Sequence, residues 1–402
     1  MSTPPDRPES QEPAARLVIN VGAAGICKFI LNTTRRFVYP FAPVLSRGLG
    51  VPLTAITSLI ALNWAAGSLA IFAGPLADRL GYRLMMITGM VLLAVGLLVS
   101  GLFPLYAVVL VALFLAALGK AVFDPAVQAY VSDHVPYRRR GLVIGVLEFS
   151  WAGSALLGIP ALALIIDRFG WRSPFFVMGL LAVLGIALLV LLIPPVERDP
   201  AGSGSGIDLK TVWQEVLHKR SARGALAFVF LVSAANDTLF VVYGAWLENA
   251  FGLSIVALGL GTGTIGLAEL LGETLTATLA DRIGLKRSVM TGLTICIILY
   301  VLLPLVSQTI FMAFASLFLI FVTFEFVAVT SVSMATELLP RARATMMATF
   351  MGAAGLGRVA GALIGGPVWL FGGIFATGIA AALISALALV SLWWGLRGWG
   401  QG

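Results

Sequence analysis

Twelve apolar runs, each close to the length of a membrane-crossing helix, leave very few folds open to this chain. They fall at 17–45, 54–76, 84–103, 105–131, 142–166, 174–193, 224–247, 256–279, 288–306, 310–336, 344–370 and 374–396. About 20 residues of helix cross a hydrocarbon core. The runs are continuous rather than alternating, so they read as helices and not as the strands of a barrel. Only 11% of the 402 residues are charged while 59% are hydrophobic, and a soluble domain carries about 25% charged residues. Lipid has to solvate so much apolar surface. The expected fold class is an all-α membrane protein, with twelve transmembrane helices in two pseudo-symmetric six-helix bundles.

The net charge of +7 does not indicate a nucleic-acid partner, because Lys and Arg are scattered in short clusters between the runs. Eighteen of the 26 lie in the tails and the even-to-odd loops. Only Arg47, Arg168 and Arg172 occupy the opposite loops, and five lie within runs. The positive-inside rule then places both termini in the cytoplasm of a bacterial inner membrane. Residues 1–16 are polar and Pro-rich and are expected to be a disordered tail. The first run carries Lys28, Arg35 and Arg36, unlike a signal-peptide core, so no cleavable signal is expected. Cys27 and Cys296 stand alone in apolar runs, His134 and His218 fall in expected cytoplasmic loops, and no metal or redox spacing appears.

Residues 17–193 and 224–396 form the two six-helix units, joined by a cytoplasmic linker at 194–223, with 397–402 as the C-terminal tail. Within the linker, Leu209, Val212, Trp213, Val216 and Leu217 recur at helical spacing, which predicts a short amphipathic helix on the membrane surface. The units repeat each other: LADRLGYR at 76–83 matches LADRIGLK at 279–286, 203 residues on, and Pro136 and Pro340 mark matching turns. Duplicated units of this size are the usual build of secondary transporters.

GPLADRLGYR at 74–83 follows the G-x-x-x-D-R-x-G-x-R pattern found between helices 2 and 3 of the major facilitator superfamily, and the chain resembles that superfamily over its whole length. The resemblance implies a cytoplasmic gate carried by Gly74, Asp78, Arg79, Gly81 and Arg83, echoed by Asp281, Arg282 and Lys286. The plainer reading of the cations is positive-inside anchoring. Gly145, Gly153, Gly158 and Pro160, followed by DRFGWRSPF at 167–175, are similar to the fifth helix of the twelve-helix efflux branch that includes drug/proton antiporters. Pro160 is not adjacent to Gly158 as that pattern has it, and the fourth helix lacks the branch's usual Arg, Lys120 being the nearest base. Small residues in helices 5 and 11 also serve close helix packing.

An ionisable side chain at mid-membrane costs at least about 2.5–3.5 kcal/mol, so each needs a partner or a cavity. Those in the runs are Lys28, Arg35, Arg36, Lys120, Asp124, Glu148, Asp237, Glu269, Glu273, Glu325 and Arg358; Glu248 is expected at the outer surface. Runs 3, 6, 9 and 12 carry none, and these are the peripheral helices of the fold that the resemblance implies. Lys28, Asn32, Arg35 and Tyr39 share one side of the first helix, Lys120 and Asp124 can pair at i, i+4, and Glu269 and Glu273 share a face. Two carboxylates one turn apart make a candidate proton carrier. By the repeat, Asp237 lies at the depth of Arg35 and Arg36, so a bridge to one of them, made in one access state and broken in the other, is expected; Glu325 with Arg358 is a second candidate pair. Tyr39, Trp64, Phe123, Trp151, Tyr243 and Phe324 are candidate cavity aromatics.

No phosphate-binding glycine loop suggests ATP-driven transport, and no catalytic constellation suggests an enzyme. The expectation is a monomeric secondary transporter that needs no cofactor and draws on the proton gradient. Its partners are a small-molecule substrate and the bilayer. It is expected to export an amphipathic molecule or drug; the alternative is a charged or zwitterionic solute such as an organic anion, lysophospholipid or sugar derivative.

Overall fold

The structure is a computed structural model that describes residues 14–67, 81–135, 137–194, 218–339 and 343–398. Among these, every regular element is a helix. The first half contains α1 (Ala14–Arg36), α2 (Ala42–Leu49), α3 (Leu53–Gly67), α4 (Tyr82–Leu102), α5 (Tyr106–His134), α6 (Tyr137–Gly153), α7 (Ile159–Phe169) and α8 (Ser173–Leu192). The second contains α9 (Arg220–Phe240), α10 (Tyr243–Phe251), α11 (Ile255–Ile283), α12 (Leu285–Val306), α13 (Ile310–Leu338) and α14 (Arg343–Gly395).

Ten stretches of the described residues are long and apolar enough to cross a membrane as they stand. One of them holds two spans, because α14 loses helical dihedrals at Gly372 and Gly373, between the eleventh and twelfth runs. The remaining run starts as α3 and continues past Gly67, outside the described residues. Eleven of the twelve apolar runs are thus met by helices of the described residues, and the second is described as far as Gly67.

Some boundaries shift. Helix begins at Ala14, within the span expected to be disordered, and the first run breaks at residues 37–41 before α2. His134 is the last residue of α5 rather than part of a loop. The fifth run starts at Tyr137 and passes through a π-turn, Ser154–Gly158, between α6 and α7. Pro160 explains the turn: it has no N–H to donate, and its ring crowds the carbonyl four residues earlier, which a wider turn relieves. The expected amphipathic linker helix lies outside the described residues.

The duplication is visible in the backbone. Gly81 and Gly284, 203 residues apart, both open a helix at positive φ (82° and 91°). Gly170 and Gly373, again 203 apart, have φ of 82° and 59°, and Gly50 and Gly252 end α2 and α10 at 65° and 61°. At Gly81 and Gly284 the accompanying ψ of 144° and 133° lies close to the region that essentially only glycine occupies.

The two halves meet closely at the end that carries α2 and α10. A Cβ on Gly259 of α11 would strike Ala163 of α7, and one on Gly266 would come within 3.0 Å of Ala155 and Leu156. On the other flank, Gly366 of α14 leaves 2.8 Å to Thr57 of α3. Arg47 and Glu248 close the same end with a 2.8 Å ion pair between the surfaces. Helices α4, α8, α12 and the last part of α14, which carry no mid-span charge, turn large apolar side chains outward: Leu191 is 78% exposed, Leu102 61% and Leu387 58%. That is the surface a lipid-facing helix needs.

Gly284→Ala should destabilise the protein by about 1–3 kcal/mol, because alanine is strained at that backbone geometry. Gly352→Ala, in a helix with nothing within 4 Å of the new methyl, should be neutral or stabilising. Thermal unfolding of the two variants in detergent checks the contrast.

Candidate functional site

The interior charges gather where α1, α3, α5 and α6 face α9, α11, α13 and α14. α1 supplies most of the cations because its polar residues are spaced at helical intervals. Lys28 Nζ donates to Glu148 of α6 at 2.6 Å, and Asn32 Nδ2 donates to Ser150 Oγ one turn on at 2.9 Å. Within α5, Lys120 Nζ meets Asp124 Oδ2 at 2.7 Å, the i, i+4 pair its spacing allows.

Arg36 crosses between the halves. Its Nη1 and Nη2 donate to Glu269 Oε2 and Oε1 of α11 at 2.8 and 2.9 Å. Both side chains are buried, 1% and 7% exposed, so this is a bidentate pair in low dielectric, the strongest form such a contact takes. The Arg36 guanidinium also lies over Trp151, 4.4 Å from the ring centre.

A second connection between halves runs through Tyr39. Trp64 Nε1 of α3 donates to the Tyr39 hydroxyl at 2.6 Å, and that hydroxyl donates to Asp237 Oδ1 of α9 at 3.4 Å. Asp237 is fully buried, and its other oxygen accepts from Arg358 Nη1 at 3.1 Å. The Arg358 guanidinium lies 4.4 Å from the Trp64 ring centre and that of Arg35 3.6 Å from it. Trp64 therefore carries two cations, one from each half.

These partners correct the pairing expected from the repeat. Asp237 bonds Arg358 rather than Arg35 or Arg36, and Arg358 is therefore not paired with Glu325. The reason is packing: a Cβ on Gly361 of α14 would lie 2.9 Å from Asp237 Cβ. That close approach brings Arg358, one turn earlier, onto the carboxylate within its own half. Repeat register gives depth in the membrane but not which way a helix face turns. Arg35 makes no ion pair among the described residues, and its Nε and Nη2 are buried without a hydrogen-bond partner.

Glu269 and Glu273 of α11 and Glu325 of α13 come together opposite Arg36. Gly272 leaves room for this, since a Cβ there would meet Glu325 Cβ at 2.7 Å. Glu325 sits within Coulombic reach of Glu269, Glu273, Arg36 and Arg358. Among the described residues neither Glu273 nor Glu325 has an ion pair of its own. Of the candidate aromatics, Trp64 and Trp151 are partly exposed, while Tyr39, Phe123, Tyr243 and Phe324 are buried in the bundle. Tyr243 is tied to Thr262 at 3.0 Å. Sequence reasoning passed over Ser150 and the buried Asn20–Tyr130 bond of 3.0 Å, because uncharged polar residues were followed only where they shared a face with a charge; polar uncharged residues inside apolar runs are the signal that finds them.

Of the loop motif, Gly74, Asp78 and Arg79 lie outside the described residues. Arg83 Nη2 donates to the Val190 carbonyl near the end of α8 at 2.6 Å, and Lys286 Nζ donates to the Leu396 carbonyl just past α14 at 2.8 Å. The two motif cations thus cap equivalent helix C-termini, where free carbonyls favour positive charge. Asp281 and Arg282 are exposed, without an ion pair among the described residues.

Two matches to the Major Facilitator Superfamily family model, residues 24–235 and 225–398, together cover nearly all of this helical core. The chain belongs to the major facilitator superfamily. It is 24% identical over 342 residues to the uncharacterized MFS-type transporter YceJ of Bacillus subtilis (strain 168), covering 84% of this chain and 86% of that one. It is 26% identical over 298 residues to the multidrug resistance protein MdtG of Citrobacter koseri, covering 70% and 71%. The fold matches the nucleoside transporter NupG, with a TM-score of 0.76 at 14% identity over 94% and 99% of the chains. It also matches a bacterial Spinster homologue in an inward-facing state, with a TM-score of 0.73 at 15% identity over 95% of each.

Arg36→Met should lower stability by about 3–5 kcal/mol by leaving Glu269 buried and unpaired. The double variant Arg36→Met, Glu269→Met should recover most of that loss while transport stays impaired. Detergent melting curves together with a transport assay separate the two effects; equal melting of single and double variants would refute the coupling.

Proposed function

We propose that this transporter exports a small amphipathic molecule by alternating access, with protons moving inward as the energy source. The supporting observation is the Arg36–Glu269 pair, which ties the halves together beside two carboxylates, Glu273 and Glu325, that have no ion pair among the described residues. A proton on this cluster removes negative charge facing Arg36 and loosens the tie between the halves, so proton loading and domain movement share one set of atoms. The Lys and Arg distribution argues that both termini are cytoplasmic in a bacterial inner membrane. The end closed by Gly259, Gly366 and Arg47–Glu248 is then the outer one, as in an exporter awaiting cargo from inside. In this reading the motif around Gly81 and Arg83 gates the inner side, a monomer suffices and no cofactor takes part. The multidrug and efflux names of relatives such as MdtG and the Lactococcus lactis PmrA homologue favour export.

Arg35 favours a second reading, transport of a charged solute, since it is the one interior cation without a carboxylate among the described residues.

Uptake of amphipathic dyes and drugs into inverted vesicles, with and without an imposed pH gradient, tests the proton. Uptake should follow the gradient and collapse with nigericin. Glu325→Gln should lower gradient-driven uptake at least tenfold while leaving substrate counterflow. Transport indifferent to pH would remove the proton from the mechanism.

A further inference from the structure

The four matched cations of the interior leave one site out of balance. Around Trp64 stand two guanidiniums, Arg35 and Arg358, and one carboxylate, Asp237. Arginine keeps its charge at any accessible pH. A buried cation without a counterion costs several kcal/mol, and stacking on an indole returns only about 0.5–2 kcal/mol. Asp124 and Asp237 act on Arg35 through space, but each is paired with another cation, so Arg35 has no ion-pair partner of its own among the described residues.

Its geometry suits a particular anion. Arg35 Nε and Nη2 are enclosed, beside Gly67 and a small cavity of about 10 Å³ lined by Val38, Ile60 and Asn63. Nη1 of the same group has no hydrogen bond among the described residues, and Arg35 as a whole is only half-buried. Arg358 spends only Nη1 on Asp237, and its side chain remains 21% exposed. The distances of the two guanidinium carbons from the Trp64 ring centre, 3.6 and 4.4 Å, put them no more than about 8 Å apart. With N–H···O distances of about 2.7–2.9 Å, a guanidinium carbon lies about 4 Å from the carbon of a bound carboxylate, so one carboxylate at the edge of the indole reaches both groups when they stand closer than about 8 Å; at that limit the ring itself would lie between them. The partly exposed rings of Trp64 and Trp151 offer apolar surface for the rest of the molecule.

We propose that Arg35 and Arg358, meeting on Trp64 from opposite halves, bind the carboxylate of a monoanionic amphipathic organic acid, and that this class is the transported substrate. The proposal rests on the transporter reading above but not on its proton coupling. Because one arginine comes from each half, the bound anion draws the halves together at mid-depth, as a substrate that drives alternating access must.

Binding to the purified full-length protein in detergent is measured by titration calorimetry with 4-phenylbutanoate, 4-phenylbutanamide and 4-phenylbutylamine. The carboxylate should bind at least tenfold more tightly than the amide of the same shape, and the amine should not compete. Arg35→Gln should abolish the preference, and Arg35→Lys, which keeps the charge, should retain part of it, provided both variants melt as the parent does without ligand. Arg358→Gln tests the same loss from the other half if Arg35→Gln does not fold. Equal affinity for acid and amide, no binding of the acid up to millimolar concentration, or an undiminished preference in both Gln variants would overturn the proposal. The two readings fail separately. Gradient-driven transport of neutral or cationic compounds without acid binding refutes the anion site alone, and acid binding with net transport indifferent to an imposed pH gradient refutes the proton alone.

Discussion

A charge cannot stand alone in a medium that does not solvate it, and the interior of this protein is organised by that constraint. Lys28, Arg36, Lys120 and Arg358 each have a carboxylate within 3.1 Å. The helices that carry these groups surround the middle of the molecule, while α4, α8, α12 and the end of α14 carry none and face outward. Desolvation thus decides which helices are inside before any detail of packing does.

The same constraint joins the halves. Within the spans, the first half holds Lys28, Arg35, Arg36 and Lys120 against Asp124 and Glu148. The second holds Arg358 against Asp237, Glu269, Glu273 and Glu325. One interior is net positive and the other net negative, so the duplicated units are alike in backbone and opposite in charge. Arg36–Glu269 is the mid-depth ion pair through which that opposition acts, and the neutral Tyr39 hydroxyl adds a hydrogen bond to Asp237. Close packing at one end, where Gly259 lies against Ala163, adds short-range contact that charge alone cannot supply. Electrostatic attraction at mid-depth and glycine-mediated contact at one end are separable, which is the property a rocking pair of bundles requires.

Much of this was readable from residue order. Run length placed the spans, the matched loop motifs placed the repeat, and the absence of charge in four runs marked the peripheral helices. Pairing was another matter. Asp237 was placed at the right depth, but its partner in this structure is Arg358 rather than Arg35 or Arg36, because depth follows from counting residues and azimuth does not. Two helices meeting across Gly361 bring Arg358 to Asp237, and two meeting across Gly272 bring Glu325 to Glu269 and Glu273. Such close approaches depend on which helices become neighbours, a long-range fact. The local pairs, Lys120–Asp124 above all, were legible because both partners sit on one helix.

By itself the sequence determined that this chain is a duplicated bundle of membrane helices, since only internally bonded backbone survives in lipid and apolar length sets the span. It also determined the charges that had to be accommodated inside. Tertiary structure alone decided how they are shared: which carboxylate each arginine meets, which pair bridges the halves, and that Arg35 rests on Trp64 without an ion pair among the described residues. Those outcomes depend on the rotation and contact of helices far apart in the chain, and nothing in the order of residues along any one helix specifies them.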